Sequence, residues 1–365
     1  MNDRERRVLR RTLAGLLLSA SLGFAGCDGS PTESVGGPAP DEGGAARTTA
    51  SPWSMTSIPA LAGDAGLDVD DVNDAGWVVG RSYSSGNRAL LWTSSHGSIH
   101  LGGGLGSVAN AVSNGSPALV AGSVQDAAYV ARPARWTISQ DGSAAVTQVV
   151  LDDVGSAKGI NDQGDLVGFS GTDAVVWPVA GGRTVVAPPA GSDFTSGIAQ
   201  DINNAGHVVL VFSTDSLDRG FLRLPSGSLV ELPPEPGDVH TYARHVTDVH
   251  TDGSVLVAGT TRKSESEFRA VRWKVDATSG AILATRVMTG NGSAGSMSEA
   301  GDLGGSIQKQ QFNPKPTIWT DATTYTMPIP KGKISGSVRA ISPNGRFAVG
   351  WASGMSGRTS LRWAR

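Results

Sequence analysis

Short apolar runs separated by glycine-containing turns recur along the whole chain. "VNDAGWVVG" begins at residue 72, "INDQGDLVG" at 160, "INNAGHVVL" at 202 and "ISPNGRFAVG" at 341, and weaker copies begin at 112, 250 and 297. The turn glycines are about 45 residues apart on average, which is the period of a propeller blade. These glycines are Gly76, Gly115, Gly164, Gly206, Gly253, Gly301 and Gly345.

Two further patterns accompany each turn. A run such as "RALLW" follows it and ends in Trp in six of seven copies, and in most repeats a run such as "LVELPP" comes next. Each repeat therefore provides about four short, half-buried strands, a to d, and seven repeats predict an all-β, seven-bladed β-propeller. We interpret the Trp residues as packing between blades. They are Trp92, Trp136, Trp177, Trp273, Trp319 and Trp363, with Arg223 in the fourth copy.

The ends of the repeat region complement each other. The last repeat stops at Trp363 without a strand d, whereas "WSMTSIPAL" at 53–61 resembles a strand d with no blade before it. We predict that this N-terminal strand completes the seventh blade by pairing near Leu361, because such closure removes an open sheet edge.

The first 52 residues are unlike the repeats. Five Arg precede the apolar run "TLAGLLLSASLGFAG", which is typical of a signal peptide over 1–26 and too short for a membrane anchor. "FAGC" resembles the lipobox of bacterial lipoproteins, which implies lipidation at Cys27, the only Cys in the chain. The alternative is an ordinary secretory leader with an incidental Cys. Residues 27–52 are rich in Pro, Gly, Ser and acid and predict a flexible tether to the propeller at 53–365.

The net charge limits the classes of partner that the protein is expected to bind. Removal of 1–26 takes away five basic and two acidic residues, which leaves 25 Lys+Arg against 31 Asp+Glu, a net charge of −6. An acidic surface without a basic block argues against nucleic acid. We expect an exported monomer, periplasmic or on the cell surface, that contacts a membrane through its lipid only.

The repeat also resembles a known family. "VNDAGWVVGRS", "RALLW" and "IHLGGGLG" follow one another between 72 and 106 and are similar to the unit of the HAF family of extracellular repeats, which combines "INxxGxVVGxS", "HAFLW" and "LGxLGG". The resemblance covers 53–365, with Arg88 and Leu90 in place of the family's His and Phe. It implies an exported, propeller-like protein and no particular activity.

One stretch looks like a calcium loop. "LDVDDVNDAG" at 67–76 gathers oxygen ligands before a glycine, as hard cations require. Counted from Asp71, however, position 5 is Ala75 and position 12 is Ser82, so two ligands of the loop pattern are missing. A turn in which Asn or Asp bonds its own backbone and Gly takes a positive φ explains all seven copies. Asp68 and Asp70 lie outside the repeat pattern and stay weak candidates for a surface cation site.

A basic residue often stands four positions before the Trp site. In a propeller the b–c and d–a loops share one face, and these connections are long here, as at 188–196, 233–242 and 260–268. We predict an anion-binding face for sugar acids or acidic protein; the alternative is that the basic groups pair with acids of neighbouring blades. The predicted ligand-binding residues are Arg88, Arg132, Arg219, Arg269 and Lys315. In the other two repeats the equivalent position is occupied by Asp173 and Thr359, which are not basic.

Histidine is concentrated in "DVHTYARHVTDVH". His240, His245 and His250 are spaced by five, which puts successive members on opposite faces of a strand and disfavours one shared metal. Surface or packing roles fit them, and a ligand-binding pair of His240 with Tyr242 is the alternative.

No G-x-S-x-G, HExxH or P-loop motif occurs in the sequence, and we predict no cofactor. The favoured function is a lipid-anchored binding module for carbohydrate or protein on the cell envelope. The alternatives are an extracellular carbohydrate-active enzyme, a lyase or a hydrolase that uses the propeller face, and a purely structural module.

Overall fold

A computed structural model describes residues 52–308 and 313–365. The predicted signal peptide, Cys27 and the predicted tether up to residue 51 lie outside the described residues. Within them, 28 strands form seven four-stranded antiparallel sheets, which confirms the seven-bladed β-propeller. The described residues include no helix long and apolar enough to cross a membrane.

Each blade has the strand order a, b, c, d predicted from the repeat. Blade 1 comprises β2 (Gly66–Val72), β3 (Val78–Tyr83), β4 (Asn87–Thr93) and β5 (Gly97–His100). Blade 2 comprises β6 (Val108–Val112), β7 (Leu119–Gln125), β8 (Ala131–Ile138) and β9 (Ala145–Val150). Blade 3 comprises β10 (Gly155–Ile160), β11 (Leu166–Ser170), β12 (Asp173–Trp177) and β13 (Thr184–Val186). Blade 4 comprises β14 (Ser196–Ile202), β15 (Val208–Ser213), β16 (Asp218–Arg223) and β17 (Leu229–Glu231).

The remaining blades follow the same plan. Blade 5 comprises β18 (His240–Val246), β19 (Ser254–Ser264), β20 (Glu267–Asp276) and β21 (Ile282–Val287). Blade 6 comprises β22 (Gly292–Met297), β23 (Leu303–Gln308), β24 (Pro314–Trp319) and β25 (Thr324–Thr326). Blade 7 comprises β26 (Lys333–Ile341), β27 (Phe347–Gly354), β28 (Gly357–Ala364) and, from the other end of the chain, β1 (Ser54–Ser57).

The N-terminal strand closes the ring as predicted. β1 runs antiparallel to β28, with Ser54 opposite Ala364 and Ser57 opposite Leu361. The residues that flank β1, Trp53 and Ile58, are both buried. The first strand of the chain therefore supplies strand d of the last blade, and the strands a of blades 1 and 7 also contact each other.

The hydrophobic core lies between the blades. Strands b and c are buried, whereas strand d is the outer edge and, in β9, is exposed along most of its length. All six predicted Trp residues are buried. Trp136 of blade 2, for example, packs with Val79 and Leu91 of blade 1. This confirms the predicted packing between neighbouring blades.

Several indole N–H groups also bond across the interblade contact. Four of them donate to the segment that leads into their own blade. The bonds are Trp177 to Asp153 Oδ2 (3.0 Å), Trp273 to the Pro233 carbonyl (3.1 Å), Trp319 to the Thr289 carbonyl (3.3 Å) and Trp363 to the Pro328 carbonyl (2.7 Å).

The a–b connection is the predicted turn and not a calcium loop. In blade 1 the Asn73 side-chain oxygen accepts hydrogen bonds from the backbone N–H groups of Ala75 (3.1 Å) and Trp77 (3.0 Å). Six of the seven turn glycines have a positive φ, but Gly115 does not, so that part of the prediction is wrong for blade 2. There the turn is longer: Ser113 and Leu119 bond across six positions, whereas Asn73 and Trp77 bond across four.

The long connections are fewer than expected. The d–a loops of blades 3 and 4 are long, at 187–195 and 232–239. The stretch 260–268, expected to be a b–c loop, is mostly strand, because Thr260, Thr261 and Arg262 continue to pair with residues of β20. Its connection is reduced to residues 265–266.

A ring of hydrogen bonds joins the seven a–b turns. In six blades the residue after the turn-capping side chain donates its backbone N–H to the turn of the following blade; in blade 7, where that residue is Pro343, Asn344 is the donor. The acceptor is a side-chain oxygen in six of the seven bonds. The bonds run from Asp74 to Asn114 (2.7 Å), Asn114 to Asp162 (2.8 Å), Asp162 to Asn204 (2.9 Å), Asn204 to Asp248 (2.8 Å), Asp248 to Glu299 (3.1 Å) and Glu299 to the Pro343 carbonyl (2.8 Å). The Asn344 N–H then donates to Asp74 Oδ1 (2.8 Å), which closes the ring. We call this set the turn ring.

We predict that Asp74→Ala destabilises the propeller by about 1 kcal/mol, the typical effect of losing a side chain that caps a backbone N–H. The change removes the acceptor that joins blade 7 to blade 1. Urea denaturation followed by Trp fluorescence measures it, with Asp193→Ala, a change in an exposed loop, as the control. Equal denaturation midpoints for the two variants would show that the turn ring contributes nothing measurable to closure.

Candidate functional site

The five basic residues predicted to bind an anion all lie at the start of a strand c, the third strand from the axis. Each is paired locally. Arg88 contacts Asp64 (2.7 Å), Arg132 contacts Asp126 (2.8 Å) and Asp152 (3.2 Å), Arg219 contacts Glu231 (3.1 Å), Arg269 contacts Asp238 (3.2 Å), and Lys315 donates to the Ile334 carbonyl (2.5 Å). Four of the five form ion pairs, with acids of their own blade or of the connections adjoining it and not of the body of a neighbouring blade, whereas Lys315 contacts only a carbonyl oxygen. Their binding role stays a prediction.

His240 and Tyr242 form a compact polar cluster with Asp218. The Tyr242 hydroxyl donates to Asp218 Oδ2 at 2.7 Å, and His240 Nδ1 lies 3.2 Å from the same oxygen. Burial and the hydrogen bond to Asp218 raise the pKa of Tyr242, which keeps it a neutral phenol. Arg262 lies 5.6 Å from the Tyr242 ring centre, so an acid, a His, a Tyr and an Arg do converge in blades 4 and 5.

The two candidates for a cation site, Asp68 and Asp70, have different surroundings. Asp68 forms ion pairs with Arg81 (2.8 Å) and Arg358 (3.1 Å), which neutralise its charge. Asp70 lies next to it in strand a but belongs to the axial cavity described below. Residues 52–308 and 313–365 contain no group of three or more His, Cys, Asp or Glu that could hold a metal ion.

Strand a has a β-bulge at the same place in every blade. One residue in each is left without a partner in strand b, and bulges are the usual device by which a strand redirects a side chain. All seven bulged residues line one cavity of about 180 Å³ on the propeller axis. They are Asp70, Asn110, Lys158, Gln200, Arg244, Gly295 and Arg339, and we call them the bulge belt.

The cavity extends from the bulge belt to the a–b turns. Turn residues such as Asp162, Asn204 and Asp248 line its outer part, whereas none of the described d–a loop residues contributes. The cavity therefore opens on the face opposite to the long loops. This is a different face from the one on which the sequence predicted binding.

The bulge belt is cationic. Lys158, Arg244 and Arg339 face one carboxylate, Asp70, and the other three members are uncharged. Burial among protein atoms, with repulsion from neighbouring Arg residues, lowers the pKa of both Lys158 and Arg244. Attraction to Asp70 opposes this shift for Lys158.

Three acidic residues, Asp71, Asp201 and Glu299, line the same cavity next to the bulge belt, and we call them the acidic layer. Asp71 accepts the Val112 N–H of the next blade (2.8 Å) and its neighbour's N–H, yet burial outweighs both bonds and raises its pKa to about 7. His245 lies 2.9 Å from Asp201. Burial is the largest single effect and lowers the pKa of His245, but the attraction and hydrogen bond of Asp201, together with the attraction of Glu299 and Asp71, outweigh it and raise the pKa. Burial also raises the pKa of Glu299.

The sequence contained a signal for this site that the repeat analysis did not use. Every bulge residue stands three positions before the residue that caps its a–b turn, as Asp70 stands before Asn73 and Lys158 before Asn161. Six of the seven are polar or charged. An alignment of the seven repeats on the turn-capping residue would have displayed them as a column, although it could not have shown that the column faces the axis.

Structures of other proteins share the fold at low identity. The chain is similar to the β-propeller domain of Cps50 (Swd1) from Myceliophteria thermophila, with 12% identity over 86% of this chain and 100% of that one and a TM-score of 0.51. It is similar to the Dos1 propeller at 9% identity over 85% and 94% (TM-score 0.49) and to virginiamycin B lyase from Staphylococcus aureus at 14% identity over 86% and 99% (TM-score 0.49).

These similarities concern the fold alone: the chain is a seven-bladed β-propeller protein. No protein-family model and no curated protein sequence matches it.

The acidic layer predicts that stability falls as the pH rises from 5 to 8. Asp71 has a pKa of about 7 in the folded protein against 3.8 in the unfolded chain, so the folded state binds the proton more tightly and its contribution to stability falls as the pH rises from 3.8 to about 7, with no further change above that. Glu299 acts in the same direction. The raised pKa of His245 contributes stability that is complete below pH 6.5 and is lost as the pH rises through its folded value.

Urea denaturation at pH 5.5 and pH 8 measures this dependence. We expect a higher unfolding free energy at pH 5.5, and a smaller difference between the two pH values in Asp71→Asn, which cannot titrate. Asp193→Asn serves as the control. A pH dependence in Asp71→Asn equal to that of the wild type would show that Asp71 is not the titrating group.

Proposed function

We propose that the protein is an exported, lipid-anchored binding module that holds a carbohydrate group of the cell envelope in its axial cavity. The observation that carries the binding part is the convergence of seven bulged residues, one from each blade, on a single polar cavity. The cavity has the room of roughly six water molecules, which suits one sugar ring better than a folded protein loop.

The geometry of the belt supports a binding site over a purely structural channel. A channel that only closed the fold would gain from apolar residues here, because unpaired buried charges cost free energy. The export part of the proposal is supported by the leader, by "FAGC" at 24–27 and by the resemblance to the HAF repeats.

A second candidate is a carbohydrate-active enzyme, favoured by the convergence of Asp218, His240, Tyr242 and Arg262. The contacts support it less well. The Tyr242 hydroxyl already donates to Asp218, and Ser213 donates to the other Asp218 oxygen at 2.6 Å. The cluster is therefore internally paired, whereas the three cations of the bulge belt form no ion pair with described residues. Conversion of a saccharide to product by the wild type and not by Tyr242→Phe would favour the enzyme.

We predict that lipid on Cys27 anchors the protein. In a bacterial host, the wild type should sediment with membranes and incorporate an alkyne-labelled fatty acid. Cys27→Ala should do neither, whereas Ser30→Ala, the control three residues on, should behave as the wild type. A wild-type protein that incorporates no label would remove the anchoring part of the proposal and leave the binding part unaffected.

We predict that Gly295→Phe abolishes ligand binding by filling the axial cavity. Gly295 is the one belt residue without a side chain; it has no positive φ, and a Cβ there would meet only the Arg339 carbonyl oxygen at 4.0 Å. The backbone therefore accepts a side chain at this position, and the phenyl ring would occupy the ligand's space. The matched control is Val149→Phe on the exposed outer strand β9.

Isothermal titration calorimetry with neutral, acidic and basic mono- and oligosaccharides measures the effect. At least one should bind the wild type and Val149→Phe but not Gly295→Phe. Equal binding by all three proteins would place the site outside the cavity, and binding of none of the saccharides would contradict the proposed function.

A further inference from the structure

Two of the three cations of the bulge belt are attracted by carboxylates, Lys158 by Asp70 and Arg244 by Asp218, but from beyond ion-pair distance. Within the described part of the chain Lys158, Arg244 and Arg339 make no hydrogen bond and no ion pair. The five basic residues at the starts of strands c, which we call the rim cations, each make at least one. Two of the belt cations also lie near aromatic rings: Lys158 Nζ lies 5.8 Å from the Phe169 ring centre and the Arg244 guanidinium 5.7 Å from that of Tyr242.

These three charges also act on one another. Arg244 lies within electrostatic range of Arg339, and Lys158 within range of Arg244, so each disfavours the charge of the next. Three like charges that are gathered around a cavity without an ion pair are unfavourable for the protein alone. A bound anion would neutralise all three cations, through charge-assisted hydrogen bonds that are stronger than neutral ones.

The belt also offers hydrogen-bonding groups other than cations. The Gln200 amide makes no hydrogen bond to any described residue, and Asp70 Oδ2 is buried without a hydrogen-bond partner among them. Asn110 differs, because its Nδ2 donates to the Ala157 carbonyl (2.6 Å). A ligand that satisfied the belt would therefore present one anionic group and at least one hydroxyl, which can donate to Asp70 and bond to Gln200.

We infer that the bulge belt binds a hydroxylated carboxylate such as a uronic acid, with the carboxylate between Lys158, Arg244 and Arg339 and ring hydroxyls on Gln200 and Asp70. This inference rests on the proposed function, since it names the class of saccharide that the axial cavity takes. It moves anion recognition from the rim, where the sequence predicted it, to the axis.

The test compares glucuronate with glucose, which has the same ring and hydroxyls but no carboxylate. Isothermal titration calorimetry at neutral pH and low salt should show binding of glucuronate and at least tenfold weaker binding of glucose. Lys158→Met and Arg244→Met should each weaken glucuronate binding roughly tenfold to a hundredfold, the range expected for one lost hydrogen bond to a charged group.

Two matched variants control for the loss of a positive charge. Lys274→Met removes a Lys that pairs with Asp252 on the surface, and Arg286→Met removes an Arg of the outer strand β21. Both should bind glucuronate as the wild type does. Thermal denaturation of each variant without ligand shows whether the fold is retained, and Lys158→Gln and Arg244→Gln serve as second variants where a Met variant unfolds.

The outcomes separate this inference from the proposed function. Glucose binding as tight as glucuronate binding, lost in Gly295→Phe, would leave the cavity as the site and overturn the anionic ligand. Glucuronate affinities that are equal in the belt variants and their controls would overturn the belt as the carboxylate site. Absence of any glucuronate binding at millimolar concentration would also overturn the inference, whichever neutral saccharide binds.

Discussion

The turn ring is the contact on which the rest of this propeller depends. Seven blades must meet at one angle for the last to reach the first, and the packing of apolar strands alone tolerates sliding. A hydrogen bond from each turn to the next fixes the spacing at the inner end of every blade. Because each bond joins a backbone N–H to the neighbouring turn, the same short motif both ends strand a and sets its distance from the next blade.

The fixed inner ends give the axial cavity its shape. The bulge in strand a lies three residues before the capping side chain, so a bulge residue occupies the same height in every blade. Sequence changes at this position alter the lining without altering the ring. Lys158 and Gly295, which differ as much as two residues can, occupy equivalent places. The turn ring is therefore constant among the blades, whereas the bulge position three residues before the turn-capping residue varies. This arrangement lets a fold acquire a ligand site.

Much of the fold could be predicted from the sequence because its determinants are local and repeated. The turn glycines gave the number of blades, the Trp series gave the interblade packing, and the unmatched strand at 53–61 gave the closure. Gly115 showed the limit of this method, since a longer turn in blade 2 changes the backbone at a glycine that the pattern made equivalent.

The candidate site could be predicted less well. A period shows which residues correspond, but not which direction a side chain takes from a bulge. Arg88 and Lys158 are both cations of strands, and only the three-dimensional structure distinguishes Arg88, which forms an ion pair with Asp64, from Lys158, which forms no ion pair with a described residue. The excess of positive charge within the bulge belt is a property of seven residues spread over 270 positions, and no local window contains it.

The pairing of Ser54 with Ala364 has a consequence for the topology of the molecule. The two ends of the described chain lie side by side in one sheet, so the propeller is a loop of polypeptide interrupted at a single point. The interruption falls between strands c and d of blade 7, and any other connection could carry it with the same blades and the same contacts. The seven blades form a closed ring, so the choice of one blade as the first is arbitrary in the folded structure.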